Sequence, residues 1–364
     1  MTGQMIEITV SERRVEKKYG MHARKHFLTG ICILLKRSKY ILCLIALAIM
    51  IAFAGAAWSQ IVNAPSQNHT SNDYTLRVDA DLVILSATVL DRHNALVSGL
   101  NKEDFQIYED HVLQQIKDFS HEDLPVTAGL VIDNSGSMAS KRADVIAAAL
   151  LFARSSNPRD QMFVVNFNEN VSFGLPAGVP FTDMPDQLQL GLSNIHAIGE
   201  TALYDAIAVA IDHLQTGNND KKVLILISDG GDNASKHSLP QIIEMARHSG
   251  AIIYTIDILN EQDGDQNPGV LKRFAKETGG EAFFPESSKE LALICEGIAR
   301  DIRNQYTLAY VPKILKQNGE YRAIDVKVSS PRRGHLSART RLGYFVPNML
   351  PSPGIGTVEH ASHN

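Results

Sequence analysis

The sequence predicts an α/β fold: a doubly wound, mostly parallel sheet accompanied by a small β-sandwich built from the segments that flank it. Three observations lead there. From Pro125 onward, short continuous apolar runs alternate with helical stretches, as strands of a parallel sheet covered on both faces do. Before Pro125 and after about residue 304, the runs instead alternate apolar and polar residues, the pattern of half-buried strands. With 364 residues and 44% hydrophobic content, the chain has material for more than one ordinary domain and for a real core.

Taken in order, residues 1–39 form a basic segment, with nine Lys and Arg against three acids for a net of +6. The whole chain carries −5, so everything after residue 39 sums to −11, and an acidic main body is a poor partner for nucleic acid. Residues 40–58, Tyr40 to Trp58, contain no charge and follow Lys36, Arg37 and Lys39. They read as a membrane-directed segment whose basic flank stays in the cytoplasm. Ala54-Gly55-Ala56-Ala57 suits signal cleavage, whereas the long basic front suits a retained anchor, so both a signal peptide and a signal-anchor helix stay open. Either way the body is expected outside the cytoplasm, periplasmic or secreted, with the membrane as partner if residues 40–58 are uncleaved. Residues 59–73 are polar and without periodicity, a linker.

Residues 74–122 are β-rich, with strands expected at Leu76–Ala80, Leu82–Val89, Phe105–Glu109 and Val112–Phe119. Residues 125–304 carry the alternating pattern. Strands fall at Ala128–Ile132, Met162–Phe167, Val223–Ile227, Ala251–Ile256 and Glu281–Phe284. Helices fall at Met138–Arg154, near Asp186–Asn194, and at Thr201–Leu214, Leu239–Arg247, Gly269–Glu277 and Lys289–Arg303, and Gly174–Pro185 is read as a loop. Residues 305–346 return to strands at Tyr306–Val311, Tyr321–Val328 and Gly343–Val346, with a turn at Asn318-Gly319. Two or three strands rarely hold alone. They are expected to pair with 74–122, the alternative being a separate hairpin docked on the central region. The tail, 347–364, is rich in Pro and Gly and is expected to be flexible.

The chemistry gathers at strand ends. Asp133-Asn134-Ser135-Gly136-Ser137 follows the apolar run Ala128–Ile132, so one carboxylate and two hydroxyls emerge together in a turn to which Gly136 gives backbone freedom. Gly199-Glu200-Thr201 opens a helical pattern, and Ser228-Asp229-Gly230 closes the run Val223–Ile227. Hard cations such as Mg²⁺ take about six oxygen ligands, and open α/β sheets bind ligands at the carboxyl ends of their strands. Each piece has a plainer reading as well. Asp and Ser cap helices and turns, Thr201 suits an N-cap, and Asp229 followed by glycines suits a strand-end turn.

The D-x-S-x-S turn, the downstream Thr and the strand-end Asp, in this chain order, resemble the metal-ion-dependent adhesion site of von Willebrand factor A domains. The strands, central domain and terminal Gly343-Tyr344-Phe345 together are similar to a bacterial family of exported proteins with such domains. The resemblance implies that Asp133, Ser135, Ser137, Thr201 and Asp229 are metal ligands. Ser135, Ser137 and Thr201 would give neutral oxygens to Mg²⁺, Mn²⁺ or Ca²⁺, and the two aspartates would balance its charge. It also implies an exchangeable coordination position for an Asp or Glu carboxylate of a partner protein. Two other classes stay in view. One is an envelope scaffold with a purely stabilising metal; the other is a metal-assisted hydrolase, against which stands the lack of a His or Glu at motif spacing from either serine. No enzyme activity and no catalytic residue are expected. Cys295, the only cysteine beyond the membrane segment, lies in the apolar stretch Leu291–Cys295 and reads as a core thiol.

Overall fold

Four short strands precede the central region: β1 (Val83–Asp91), β2 (Phe105–Glu109), β3 (Val112–Gln114) and β4 (Ile116–Ser120). A computed structural model describes residues 82–193, 198–258, 266–314 and 319–346. Segments 1–39, 40–58 and 59–73, the strand expected at Leu76–Ala80, Asn318 of the expected turn, and the tail 347–364 lie outside those residues. Among the described residues no helix is long and apolar enough to cross a membrane.

The central region runs β5 (Val126–Asp133), α1 (Arg142–Ser155), β6 (Gln161–Phe167), β7 (Val171–Phe173), α2 (Pro185–Ser193), α3 (Leu203–Gln215), β8 (Lys221–Ser228), α4 (Leu239–Ser249), β9 (Ile252–Asp257), α5 (Pro268–Thr278), β10 (Ala282–Phe283) and α6 (Ser288–Arg303). Its sheet has the order β10-β9-β8-β5-β6-β7, parallel except for the antiparallel edge strand β7. Because β5 lies between β6 and β8 and is covered on both faces, all eight of its residues are buried. Helices α1, α2 and α6 pack together, and α3, α4 and α5 form a second contacting series. Helix ends follow local chemistry. Ser238 and Gln241 form a capping box at the start of α4, and Gly250 and Gly279, both in the left-handed region, terminate α4 and α5. The chain between Ser135 and Arg142 is not the start of a long helix, as the apolar spacing predicts, but one tight turn at Gly136–Met138.

The last strands are β11 (Tyr306–Tyr310), β12 (Tyr321–Val328), β13 (Leu336–Arg339) and β14 (Gly343–Phe345). They interleave with the first four in two four-stranded sheets, β13-β1-β11-β4 and β14-β12-β2-β3. Strand β11 lies between β1 and β4, pairing Leu85 with Leu308 on one side and Ser120 with Thr307 on the other. The two sheets share a core that includes Leu85, Phe105, Ile107, Tyr306, Leu308, Tyr310 and Tyr344. The sandwich is thus built from both flanks of the parallel sheet.

Polar networks fasten the sandwich internally and to the central region. Buried Glu109 pairs with Arg322 and accepts hydrogen bonds from the hydroxyls of Tyr310 (2.5 Å) and Tyr344 (2.9 Å). On α6, Asp301 accepts from Thr88 Oγ1 of β1 (2.6 Å), from Tyr254 Oη of β9 (2.8 Å), and from Arg339 of β13, which also reaches Glu281. Arg247 of α4 pairs with Glu277 and lies over the Tyr321 ring, and His248 stacks on Phe345.

Candidate metal centre

The carboxyl edge of the sheet carries the predicted turn. Asp133 is the last residue of β5, and its Oδ1 accepts the amide of Ser135 (2.8 Å), which folds the chain back at once. Asn134 holds the turn from below. Its amide donates to Phe167 O, its side-chain nitrogen donates to Ile132 O and Asn166 Oδ1, and Arg142 donates to its oxygen. The turn is then zipped to the loop ahead of α3, Ile198 N donating to Asn134 O (3.1 Å) and Gly136 N to Gly199 O (3.2 Å). Gly199 has φ +88°, in the left-handed region, where a residue with a side chain would be strained.

Four of the five predicted ligands share one hydrogen-bonded chain. Ser228 Oγ, at the end of β8, donates to Asp133 Oδ2 (2.6 Å). The hydroxyls of Ser135 and Ser137 are 3.1 Å apart, and Ser137 Oγ donates to Asp229 Oδ2 (2.8 Å). The other oxygen of Asp229 accepts the amide of Gly231 (3.0 Å). Thr201 reaches the cluster through its backbone. Its amide donates to Asn233 Oδ1 (2.8 Å), its carbonyl accepts from the amides of Asn233 and Ala234, and its hydroxyl bonds none of the other four.

The electrostatics are those of an anionic pocket without a counter-charge. Asp133 is 2% exposed and Asp229 5%. Burial pushes the Asp133 carboxyl up to about 6; hydrogen bonds from Ser135 and Ser228 oppose the rise, and the charge of Asp229 adds to it. Among the described residues neither aspartate forms an ion pair. Nor does any group of three or more His, Cys, Asp and Glu side chains gather at one point fit for a metal ion. Any cation here would be held by hydroxyl oxygens together with two carboxylates, an all-oxygen set that suits a hard divalent ion. With its proton given to Asp229, the Ser137 hydroxyl keeps a lone pair free to act as such a donor.

The neighbouring polar residues are structural. Asp232 accepts from Tyr204 N and Ser235 Oγ, and Asp205 accepts the amides of Lys236 and His237 and pairs with the His237 ring. His213 packs among Phe163, Phe173 and Phe181, and His196 lies outside the described residues. Cys295 is fully buried, its thiol pushed up to about 12 by burial.

Three contributors escape the sequence pattern. Ser228 and Arg142 support the turn through Asp133 and Asn134. The third is Asp257, which ends β9 where the apolar run predicts a strand stopping at Ile256. It is 0% exposed, neither of its oxygens has a hydrogen-bond partner among the described residues, and its carboxyl is pushed up to about 7 by burial and by the charge of Asp229, against the pull of Lys272. The signal for both Ser228 and Asp257 was present: one polar residue closing an otherwise apolar strand.

Residues 129–231 match the family model described as von Willebrand factor type A domain. No curated protein matches the chain. Among solved structures, a von Willebrand factor type A protein from Catenulispora acidiphila is 14% identical over 65% of this chain and 75% of its own, with TM-score 0.45. The vWF domain of the type V pili tip protein from Porphyromonas gingivalis is 15% identical over 50% and 95%, TM-score 0.42. Proximal thread matrix protein 1 from the mussel byssus, with a zinc-occupied MIDAS motif, is 17% identical over 50% and 49%, TM-score 0.40.

Proposed function

Since this chain carries a von Willebrand factor type A domain, we propose that Asp133, Ser135, Ser137, Thr201 and Asp229 hold a divalent cation through which the protein binds a carboxylate of a partner protein. The observation that carries this reading is the hydrogen-bonded run Asp133–Ser228 and Ser135–Ser137–Asp229 at the mouth of the sheet, with two buried carboxylates that form no ion pair among the described residues. A bound Mg²⁺, Mn²⁺ or Ca²⁺ would supply the missing positive charge and a coordination position open to exchange. The chain's own residues do the rest. Ser135 and Ser137 are held by the turn, Thr201 is fixed by its backbone bonds to Asn233 and Ala234, and Asp229 is oriented by Gly231. An ionic contact made in so enclosed a site is worth more than one on open surface.

We read the site as binding rather than hydrolytic. Among the described residues no imidazole bonds either serine hydroxyl, and Asp229, the carboxylate that accepts the Ser137 proton, is assigned to the cation and not to general-base work. We place the body of the chain outside the cytoplasm, delivered or anchored by residues 40–58.

The test is capture of a partner from membrane extracts by the full chain in Mg²⁺, repeated in chelator and with Asp133→Ala. Capture is expected to disappear in both, with the variant still folded by circular dichroism. Capture that survives chelation, while Mg²⁺ still raises the melting temperature, would instead make the ion a purely stabilising element of a scaffold.

A further inference from the structure

Among the described residues, the other buried carboxylates have partners. Glu109 has Arg322, Tyr310 and Tyr344; Asp301 has Arg339, Tyr254 and Thr88; Asp160 accepts two backbone amides. Asp257 is the exception, with no solvent exposure and no partner for either oxygen. A buried carboxylate left without a hydrogen bond is costly enough that a fold keeping one calls for a ligand to explain it.

Its position supplies the explanation. Parallel pairing sets Asp257 beside Ser228, and the same register carried one strand further, from Ile132 opposite Ile227, sets Ser228 beside Asp133. Residues in one cross-strand row point to one face of a sheet. Asp133, Ser228 and Asp257 thus form a row at the carboxyl edge. The Ser228 hydroxyl is turned to Asp133, leaving nothing for Asp257. The chain around Asp257 is tied to the strand end that carries Asp229: Ile258 N donates to Ser228 O (3.3 Å) and Asn267 N to Asp229 O (3.2 Å). An added Cβ on Gly230 would lie 2.5 Å from Asn267 O, so the wall there is closely packed.

We propose that Asp257 is a further acid of the cation centre, accepting hydrogen bonds from the water molecules that complete the shell of a divalent cation on the Asp229 side. The role is through water, because no three acids in the described residues converge on one point. Outer partners of this kind are worth about 10–100-fold in metal affinity. The inference rests on the cation reading given above, and its test separates the two.

Full-length wild type, Asp133→Ala and Asp257→Asn are titrated with Mn²⁺, free ion being read by electron paramagnetic resonance. Wild type is expected to bind, Asp133→Ala not to bind, and Asp257→Asn to bind about 10–100-fold more weakly. If Asp257→Asn matches wild type within two-fold while Asp133→Ala does not bind, the role of Asp257 is refuted and the cation reading stands. If wild type takes up no Mn²⁺, both fall. Thermal melting in chelator guards against misfolding. Asp257→Asn, which replaces a buried carboxyl that accepts no hydrogen bond, is expected to melt at or above the wild-type temperature, and a lower melting point would reveal a protein partner and overturn the inference.

Discussion

Asp160 shows how burial couples single residues of this chain to pH. Its carboxyl is pushed up to about 6 by burial, in spite of the amides of Val126 and Asn157 that it accepts. In the unfolded chain the group ionises near 3.9. Below that value both states hold the proton and the folded state has its full benefit; as pH rises from about 4 through 6 the unfolded state ionises first and stability is lost. Asp160→Asn is expected to flatten this part of the stability curve, seen as the difference between melting curves of variant and wild type from pH 4 to 7. It should also cost about 1–3 kcal/mol at every pH, since an amide accepts at only one of the two atoms that Val126 and Asn157 require. At this scale the sequence was most informative about the polar cluster at the strand ends. Asp133, Ser135, Ser137 and Asp229 were legible because residue type and turn spacing are local. For Asp257 the sequence carried only a polar residue closing an apolar strand; what singles it out, its place in a cross-strand row with Ser228, is set by pairing between distant segments.

Elements were legible where hydropathy alone decides them. The strands β5, β6, β8 and β9 are continuous apolar runs, and they form the buried middle of the sheet. Elsewhere tertiary context won. The run Val112–Phe119 splits into β3 and β4 in different sheets, because Gln114 is buried while Leu113 is exposed, the reverse of their hydropathy. Strand β13, Leu-Ser-Ala-Arg, has almost no apolar signal and exists because it pairs with β1 and because Arg339 reaches α6. The end of α5 offers a test at the same scale. Gly279 has φ +84°, and an added Cβ would lie 2.5 Å from the backbone of Thr340 and Arg341. Gly279→Ala is expected to cost about 1–3 kcal/mol through backbone displacement, with a further ~1 kcal/mol for the left-handed conformation. The midpoint of urea unfolding measures it, and an unchanged midpoint would mean that the helix end is not pressed against the sandwich.

At the scale of the molecule, the Asp301 cluster decides whether sandwich and parallel sheet unfold together. Arg339 supplies the positive charge for Asp301, which sits among Thr88, Tyr254 and Gln305. Arg339→Ala leaves that carboxylate buried and unpaired, a change that typically costs about 3–5 kcal/mol. The expected result is earlier loss of hydrogen-exchange protection in β1 and β11 than in β5 and β8, whereas uniform loss would indicate a single cooperative unit. The fold class follows from sequence at this scale too, but the interleaving of β1, β11 and β4 does not, since antiparallel neighbours can be chosen only once both flanks are in place. That interleaving has a further meaning. Ser120 and Thr307 are opposite one another on adjacent strands, so the chain leaves the sandwich and re-enters it one strand spacing away. The whole central α/β region is therefore a cassette inserted at the tip of what would otherwise be an ordinary β-hairpin, replaceable in principle by a short turn without rerouting any strand.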